Sequence, residues 1–405
     1  MSKGRTSWIK PHHKPVQNFL YAVFAPYVRR KYHITVTPYR DPQDRPLLIL
    51  MNHQTGFDQF FPYMAFKRPL YFVASEDIFS CGWLSDIIRF LAAPIPIKKQ
   101  TSDLRAVRTA LQIAKEGGSI ALAPEGNRTF DGKLCHINPA ILGLIRLLKM
   151  PVACFRIEGG FGIHPRWSDV IRKGNMKAYV SRVIEPEEYR RASDEELMQM
   201  LLDGIGVDET QTEGQYHSHK LAEYVERAIY VCPDCGLSTF ESHGDLIECK
   251  TCGRKVRYLP DKTLQAADGR VLAFHKLSDW YEYQNDYIRR LDLTPYYDTP
   301  AYEDFGKLSE VILYQHKKVL AKNAHLKLYG NRIEVSSRDF TVCWHFDDTD
   351  TITVLGKNKL NIYTGGKVYQ IKPDKRFNAL RYVNFFYHYK SISKGENDGK
   401  QFLGL

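Results

Sequence analysis

The sequence predicts an α/β domain with a mixed, largely parallel sheet, followed by a small four-cysteine module and a small β-rich C-terminal domain. Three observations predict this order. Short apolar runs alternate with helical patterns through the first half of the chain, as in parallel sheets. Two Cys-x2-Cys pairs then lie close together between residues 232 and 252. Beyond residue 320, short β-type runs are separated by glycine-containing turns.

The N-terminal segment, residues 1–45, is basic and rich in aromatic side chains such as Phe19 and Phe24. A helix is predicted over residues 16–31, with a kink at Pro26 because proline lacks the amide that a helix interior needs. A basic, aromatic helix suits attachment to a membrane surface. It equally suits packing against its own domain, and the two can coexist. We expect this segment to associate with a membrane.

The next segment, residues 46–230, has the pattern of the α/β domain. Buried strands are predicted at residues 47–51, 70–74, 119–123 and 152–157. Helices are predicted at residues 102–116, 141–148, 187–202 and 221–230. Ser102 suits the N-cap of the first of these helices, and Gly117 with Gly118 suits its end.

The four-cysteine module is predicted over residues 231–260, and residues 261–300 are predicted as a helical linker with a helix at 277–290. Residues 301–405 are predicted as a β-rich domain closed by a helix at 378–389. Its strands are predicted at 326–329, 332–335, 340–346, 351–354, 360–363 and 368–371. This pattern resembles pleckstrin-homology or GRAM-type modules. Its lysines and arginines suit lipid headgroups, or a solvated basic surface.

The amino-acid composition and the net charge limit the kinds of protein that this chain can be. The 405 residues are 43% hydrophobic and 25% charged, which is typical of folded domains, and the length suits two or three of them. The net charge of +11 favours anionic partners such as nucleic acid, anionic lipid or phosphorylated substrates. No apolar run approaches the ~20 residues that span a bilayer, and no signal-peptide pattern is visible. We therefore expect a cytoplasmic protein that touches lipid from the surface.

A first polar cluster, Asn52, His53 and Asp58, follows directly on the predicted strand 47–51. It therefore lies at the C-terminal edge of the sheet, where α/β folds place their sites. The four residues between His53 and Asp58 let the chain turn back, so that the carboxylate meets one imidazole nitrogen. The other nitrogen can then act as a general base. A histidine at a strand end is also common as a hydrogen-bonded structural residue.

A second polar cluster follows the predicted strand 119–123, and so lies at the same edge of the sheet. Arg128 offers a planar fork that suits a phosphate or a polyol. Gly126 lets a ligand approach the backbone, and Glu125 either binds hydroxyls or holds Arg128. A Glu–Arg ion pair within a turn is the simpler structural explanation. The candidate substrate-binding residues are Asn52, Glu125, Gly126, Asn127, Arg128 and Thr129.

Together the two clusters resemble the glycerolipid acyltransferases, the family that acylates lysophosphatidic acid. The family's N-H-x4-D block matches at Asn52, His53 and Asp58. Its E-G-T-R-S block matches at Glu125, Gly126 and Arg128, with Asn127 and Thr129 in place of the threonine and the serine. The resemblance covers roughly residues 15–230 and implies the family's fold and acyl transfer.

One family block departs from the pattern. Where the family carries an arginine after an apolar run, this chain has Lys98 and Lys99. Each lysine offers a point charge rather than a two-pronged fork. The two lysines are candidate substrate-binding residues, and the change leaves the acceptor open between a glycerol phosphate lipid and another lipid, such as an ornithine lipid.

The resemblance implies direct transfer without an enzyme nucleophile. His53, held by Asp58, would deprotonate the acceptor hydroxyl, which attacks the thioester of acyl-CoA or an acyl carrier protein. Arg128, with Lys98 or Lys99, would hold the anionic group of the acceptor. The implied function is the acylation of 1-acylglycerol 3-phosphate in phospholipid biosynthesis, by a peripheral protein on the cytoplasmic face of the membrane.

The cysteine pairs predict a structural zinc ribbon. Thirteen residues separate the pairs, and four thiolates complete a tetrahedron around Zn²⁺. Two disulfides are the alternative, but the other, scattered cysteines favour a reducing compartment. The mixed charges of the ribbon do not favour a nucleic-acid partner. The predicted ligands are Cys232, Cys235, Cys249 and Cys252.

A second hypothesis keeps the fold and removes the chemistry. In it the chain is a scaffold whose ribbon and C-terminal domain bind a lipid, a protein or nucleic acid. The presence of both His53 and Asp58 favours the enzyme, because a non-catalytic protein has no chemical use for the pair. The sequence does not predict the acyl chain length, the donor carrier or the oligomeric state.

Overall fold

The computed structural model describes residues 7–79, 83–97, 104–312, 317–338 and 340–394. The first half alternates strands and helices, as predicted. Its strands are β1 (Ile34–Val36), β2 (Leu48–Met51), β3 (Leu70–Ser75), β4 (Ile95–Ile97), β5 (Ser119–Leu122), β6 (Val152–Glu158) and β7 (Met176–Ile184). Its helices are α1 (His13–Tyr32), α2 (Phe60–Phe66), α3 (Trp83–Ala92), α4 (Leu104–Lys115), α5 (Ala140–Leu148), α6 (Gly160–Ile163), α7 (Pro186–Arg191) and α8 (Asp194–Ile205).

The first seven strands form one mixed sheet in the order β1-β7-β6-β2-β5-β3-β4. Neighbouring strands run parallel except β6 and β7, which confirms the predicted largely parallel sheet. On one face, Leu48 and Leu50 pack in a core with α4, α5 and α8. On the other face, Ile49 and Met51 pack with α1 and α2. β2 is therefore covered on both sides, which explains its continuous apolar run.

The cysteine module consists of short antiparallel strands. They are β8 (Val231–Cys232), β9 (Gly236–Leu237), β10 (Phe240–His243), β11 (Leu246–Cys249), β12 (Lys255–Tyr258) and β13 (Leu264–Ala266). β8 pairs with β9, and β10 to β13 form a four-stranded sheet in chain order. β13 falls inside the segment 261–300, for which the sequence predicts a helical linker. The linker helix itself is α9 (Leu277–Arg289).

The C-terminal part is a seven-stranded antiparallel sheet closed by a helix. It contains β14 (Tyr302–Val311), β15 (Lys318–Leu328), β16 (Arg332–Ser337), β17 (Phe340–His345), β18 (Thr351–Leu355), β19 (Lys359–Thr364), β20 (Lys367–Pro373) and α10 (Leu380–Lys394). The strand order is β17-β16-β15-β14-β20-β19-β18. The six predicted strands are found as β15 to β20, and β14 was not predicted.

A single apolar core connects the cysteine module, α9 and the C-terminal sheet. Phe130, Phe161 and Trp167, which belong to the first half of the chain, lie in the same core. The C-terminal part is therefore packed directly against the α/β part. This contact brings residues that are far apart in sequence to the edge of the first sheet.

Two predicted helices differ in the structure. The helix predicted at 187–202 is two helices, because Ser193 starts α8 with a capping box in which it accepts a hydrogen bond from the Glu196 amide. The helix predicted at 221–230 is wrong, since only a 3₁₀ turn, Val225–Arg227, forms there. Its first residues cannot extend that turn, because Tyr224 has a left-handed backbone with φ of +73°. Ser102, the predicted N-cap, lies outside the described residues.

Among the described residues, no helix is both long and apolar enough to cross a membrane. α1 and α3 lie side by side, and Phe90 of α3 stacks on His12 with ring centroids 4.6 Å apart. Both helices carry large apolar side chains that remain exposed: Phe19, Val23, Phe24 and Tyr27 on α1, and Trp83, Ile87 and Phe90 on α3.

Candidate active site and metal centre

Asn52 fixes the end of β2 to the end of β6. Its side-chain nitrogen donates to the carbonyl of Ile157 at 2.8 Å, and its side-chain oxygen accepts from the amide of Ile157 at 2.7 Å. The residue is buried. Both ends of the amide are therefore committed to the backbone. Asn52 is a predicted substrate-binding residue, and in the structure it holds the ends of β2 and β6 together, where the loop with His53 begins.

His53 and Asp58 form the predicted pair. Nδ1 of His53 lies 2.8 Å from Oδ2 of Asp58, and the carboxylate is fully buried, whereas the His53 side chain is 27% exposed. Asp58 also accepts from the amides of Gln54 (2.6 Å) and Thr55 (2.9 Å) and from the Thr55 hydroxyl (2.6 Å). The loop after β2 thus wraps round the carboxylate and fixes its direction. A carboxylate held in this way orients the histidine and assigns the proton to Nδ1, so Nε2 is the nitrogen suited to act as base.

Glu125 connects the loops after β2 and β5. Its Oε1 accepts from the amide of His53 at 2.6 Å, and its Oε2 accepts from the amide of Cys135 at 2.7 Å. Burial raises the pKa of Glu125 to about 8, although both amide hydrogen bonds favour the ionised form. The predicted ion pair with Arg128 is not among these bonds, whereas the predicted contact with a substrate hydroxyl stays a prediction. Glu125 supports the backbone of the candidate base.

Arg128 is a half-buried cation whose Nη1 is a buried, unpartnered donor. Nη1 of Arg128 has no hydrogen-bond partner among the described residues. This nitrogen lies over the His53–Asp58 loop, 3.7 Å from the position that a Cβ on Gly56 would take. Burial lowers the pKa of Arg128, whereas the Asp58 carboxylate raises it. A buried, unpartnered donor is costly to a folded protein, and an anionic ligand would relieve this cost.

The other predicted residues of the second loop have different positions. Gly126 is exposed, with φ of +67°, so the backbone there is open to a ligand. Asn127 is buried. The Thr129 hydroxyl donates to Asp131 at 2.8 Å and accepts from the amide of Gly132 at 2.9 Å, so it shapes the turn. Lys98 and Lys99, the remaining predicted substrate-binding residues, lie outside the described residues.

The structure adds residues that sequence reasoning missed. Tyr32, at the end of α1, and His164, after α6, have ring centroids 6.2 Å apart. The Tyr32 hydroxyl and Nδ1 of His164 are both buried without a partner among the described residues. Burial lowers the pKa of His164 to about 3, and the positive charges of Lys357 and Arg128 add to this effect. No local pattern identifies these residues, because they come from separate segments of the chain.

The four predicted cysteine ligands converge. Their sulfur atoms all lie within 4.8 Å of one another. Sγ of Cys232 is 3.6 Å from Sγ of Cys252, and Sγ of Cys235 is 3.6 Å from Sγ of Cys249. A tetrahedral ion with metal–sulfur bonds of about 2.3 Å places its sulfurs about 3.8 Å apart. The cluster therefore fits a tetrahedral metal ion, and its cysteines are free thiols rather than disulfides.

One segment of the chain matches a protein-family model. Residues 33–158 match the Acyltransferase family model. Both polar clusters lie inside this segment, which confirms the predicted resemblance to the glycerolipid acyltransferases. The α/β part of the chain therefore contains a segment, residues 33–158, that is similar to acyltransferases.

Two curated relatives are similar to part of the chain. The 1-acyl-sn-glycerol-3-phosphate acyltransferase BAT2, chloroplastic, of Brassica napus is 22% identical over 147 residues, which are 35% of this chain and 41% of the relative. The 1-acyl-sn-glycerol-3-phosphate acyltransferase LPAT1, chloroplastic, of Arabidopsis thaliana is 22% identical over 147 residues, which are 35% of this chain and 40% of the relative. The chain thus spans about two fifths of the length of these relatives.

Two solved structures are also similar. The 1-acyl-sn-glycerophosphate acyltransferase PlsC of Thermotoga maritima has a TM-score of 0.40 and 20% identity, and covers 48% of this chain and 80% of its own. The N-terminal PH domain of human ARAP2 has a TM-score of 0.18 and 15% identity, and covers 22% of this chain and 81% of its own. At these scores neither structure bears on the site.

Proposed function

We propose that the chain is an O-acyltransferase that moves a fatty acyl group from acyl-CoA or an acyl carrier protein to the hydroxyl of a lysophospholipid. The proposed acceptor is 1-acylglycerol 3-phosphate, and the proposed role is phospholipid biosynthesis. One observation carries the proposal: His53, oriented by Asp58 at 2.8 Å, lies in the loop beneath the unpartnered Nη1 of Arg128. This arrangement joins a base to a cationic binding group within an acyltransferase segment.

The proposed reaction is a direct transfer. Nε2 of His53 takes the proton of the acceptor hydroxyl while the hydroxyl oxygen bonds to the thioester carbonyl carbon. The carbon–sulfur bond then breaks, and the protonated His53 returns the proton to the leaving sulfur, so that the donor departs as a free thiol. Asp58 stabilises the imidazolium that forms between these steps. No serine or cysteine of the chain needs to carry the acyl group.

Arg128 is proposed to bind the phosphate of the acceptor. Its Nη1 is a charged donor that lacks a protein partner among the described residues, and a phosphate oxygen would supply one. Gly126 is exposed with a positive φ and lets a ligand approach the backbone there, but its own amide donates to the carbonyl of Ala123 at 3.1 Å and is not free for the oxyanion of the intermediate.

The exposed apolar side chains of α1 and α3 support a membrane-bound location. They lie on two helices that contact each other, and the basic residues Arg29, Arg30 and Lys31 follow in the last turn of α1. Apolar and cationic groups on one surface are typical of helices that lie in the interface of a bilayer. We therefore propose that the protein is peripheral on the cytoplasmic face of a membrane, which is where its lipid substrate lies.

The four-cysteine cluster is proposed to hold one structural Zn²⁺. Four thiolates leave the ion no open position, so it would supply folding energy rather than catalysis. The hydroxyl of Ser238 lies 3.0 Å from Sγ of Cys249 and would support the ligand from outside the tetrahedron.

A thiol-release assay with long-chain acyl-CoA tests the proposal, with product identified by mass spectrometry. The acceptors are 1-acylglycerol 3-phosphate and a panel of other lyso-lipids. We expect acyl-CoA-dependent formation of the diacyl product with 1-acylglycerol 3-phosphate. Transfer only to another lipid would keep the mechanism and replace the acceptor. No transfer with any acceptor, from acyl-CoA or from acyl carrier protein, would refute the proposal and favour the scaffold.

A further inference from the structure

Arg166 connects the C-terminal β domain to the loop that carries Arg128. It lies just after α6 and is only 2% exposed. Nη1 of Arg166 donates to the backbone carbonyl of Arg128 at 2.9 Å. Nε donates to the carbonyl of Gly356 at 2.7 Å, and Nη2 donates to the carbonyl of Val354 at 2.9 Å. One side chain therefore bonds to both sides of the contact between the two domains.

The fit of Arg166 is specific to a guanidinium group. Its three bonds leave from three different nitrogens, which lysine could not reproduce from a single ammonium. The guanidinium carbon also lies 4.2 Å from the ring centroid of Phe130, two residues after Arg128. Arg166 thus contacts the Arg128 loop through the backbone and through an aromatic ring.

The β18–β19 turn is shaped to receive Arg166. Gly356 has φ of +64°, a conformation that favours glycine, and this turn conformation presents its carbonyl to Nε. The next residue, Lys357, donates to Asp169 at 2.8 Å, so the same turn makes a second contact with the segment after α6. The turn is docked at two points rather than left at the surface.

We propose that Arg166 is a positioning residue that makes the C-terminal β domain part of the acceptor site, so that the affinity for the acceptor depends on the docked β18–β19 turn. The inference rests on the proposed role of Arg128 in binding the anionic group of the acceptor. The bond from Arg166 to the Arg128 carbonyl sets the position of the Arg128 backbone, and hence where its unpartnered Nη1 lies. Arg166 is itself held by the carbonyl of Gly356, 190 positions later in the chain.

A matched control is available at the same domain contact. Arg227 is also buried and also bridges the two parts, since it donates to Asp169 at 2.8 Å and to the carbonyl of Lys375 at 2.6 Å. Arg227 has no hydrogen bond to the Arg128 loop among the described contacts. Arg166→Lys and Arg227→Lys therefore both weaken the domain contact, but only the first removes a bond to Arg128.

Steady-state kinetics separate the two effects. We expect Arg166→Lys to raise the KM for 1-acylglycerol 3-phosphate about fivefold to tenfold, while kcat and the KM for acyl-CoA change by less than about twofold. Arg227→Lys should leave all three constants within about twofold, even if it lowers the melting temperature as much. An equal rise in acceptor KM in both variants would overturn the proposal, because it would reflect general loosening.

A double-mutant cycle tests whether Arg166 acts through Arg128. In an Arg128→Ala background, we expect Arg166→Lys to change the acceptor KM by less than about twofold. If Arg166→Lys raised the acceptor KM by the same factor with and without Arg128→Ala, Arg166 would not act through Arg128, and the proposal would be contradicted.

Amide hydrogen exchange provides a test that does not need turnover. Without substrate, Arg166→Lys should speed exchange across residues 126–132, where the Thr129 amide donates to the carbonyl of His53. Arg227→Lys should leave the exchange rates of these residues unchanged. If wild type fails to transfer acyl groups, the proposed function fails, yet this comparison still decides whether Arg166 holds the loop.

Wild-type protein gives the final test, in case Arg166→Lys does not fold. Adding 1-acylglycerol 3-phosphate should slow exchange both at residues 126–132 and at the turn, residues 354–359, because coupling between two sites is reciprocal. Slower exchange in the Arg128 loop alone would overturn the coupling. If neither segment responds, the acceptor does not bind at Arg128, and the inference, which rests on that binding, is overturned together with the proposed acceptor.

Discussion

The cysteine cluster and the candidate active site are both built from short, regularly spaced motifs, yet they satisfy their polar groups differently. In the cluster, four sulfur atoms lie within 4.8 Å of one another, a grouping that one tetrahedral metal ion would satisfy completely. In the active site, Asp58 is saturated by loop donors, but Arg128 retains a buried donor without a partner among the described residues. From this difference we propose that the first arrangement stabilises the fold, whereas the second is open to a ligand.

Loss of a cysteine ligand should have the largest effect, and it should be on stability. Cys249→Ser is expected to remove the bound Zn²⁺, about one per chain in wild type, and to lower the free energy of unfolding by about 5 kcal/mol. Metal analysis and thermal melting measure the two effects. Cys343→Ser is the control, because Cys343 is exposed and outside the cluster. Metal-free wild type with two disulfides would contradict the prediction.

Loss of the orienting carboxylate should have the next largest effect, and it should be on catalysis. Asp58→Asn is expected to lower kcat about 10²- to 10⁴-fold, since the amide no longer holds the base tautomer of His53. The control is Asp41→Asn, which alters another buried carboxylate that accepts from the amides of Gln43 and Arg45. A similar loss of kcat in both variants would show that Asp58 acts only through stability.

The smallest expected effect is a pH dependence of stability on the active-site side. The pKa of His164 is about 3 in the folded protein, below its usual value of about 6.5. Between these values the unfolded chain binds a proton that the folded chain does not, so stability falls as the pH falls. His164→Phe keeps a ring beside Tyr32. Between pH 7 and pH 5, its free energy of unfolding should therefore fall by about 1–2 kcal/mol less than that of wild type.

Urea unfolding at the two pH values measures this difference. His164 faces the positive groups of Lys357, Arg128 and Arg172 and the negative group of Asp58, and the positive groups dominate. His136→Phe is the control, since His136 is exposed. Equal acid sensitivity in wild type and His164→Phe would show that the ring is not held neutral by its surroundings.

The sequence predicted those parts of the site that depend on local order. His53 and Asp58 are five positions apart and follow a buried strand, so their contact is set within one loop. The neighbouring loop after β5 could be placed beside it because β2 and β5 are adjacent parallel strands. The cysteines are paired in the same local way, and their spacing predicts the cluster.

The rest of the site depends on contacts that no local pattern contains. Arg166 bonds to carbonyls of residues 188 and 190 positions away, and backbone carbonyls carry no sequence signature. The expected helix at 221–230 fails for a related reason. Buried Arg227 is engaged with Asp169 and with the C-terminal domain, so long-range bonds override the local helical pattern.

The most direct test of the central claim is acyl transfer to 1-acylglycerol 3-phosphate by wild type and by His53→Ala, with His136→Ala as control. Wild type and the control should both transfer the acyl group, whereas His53→Ala should lose at least about 10²-fold. The melting temperature of His53→Ala should remain close to that of wild type. Transfer by a folded His53→Ala at the wild-type rate would show that the histidine is not the base.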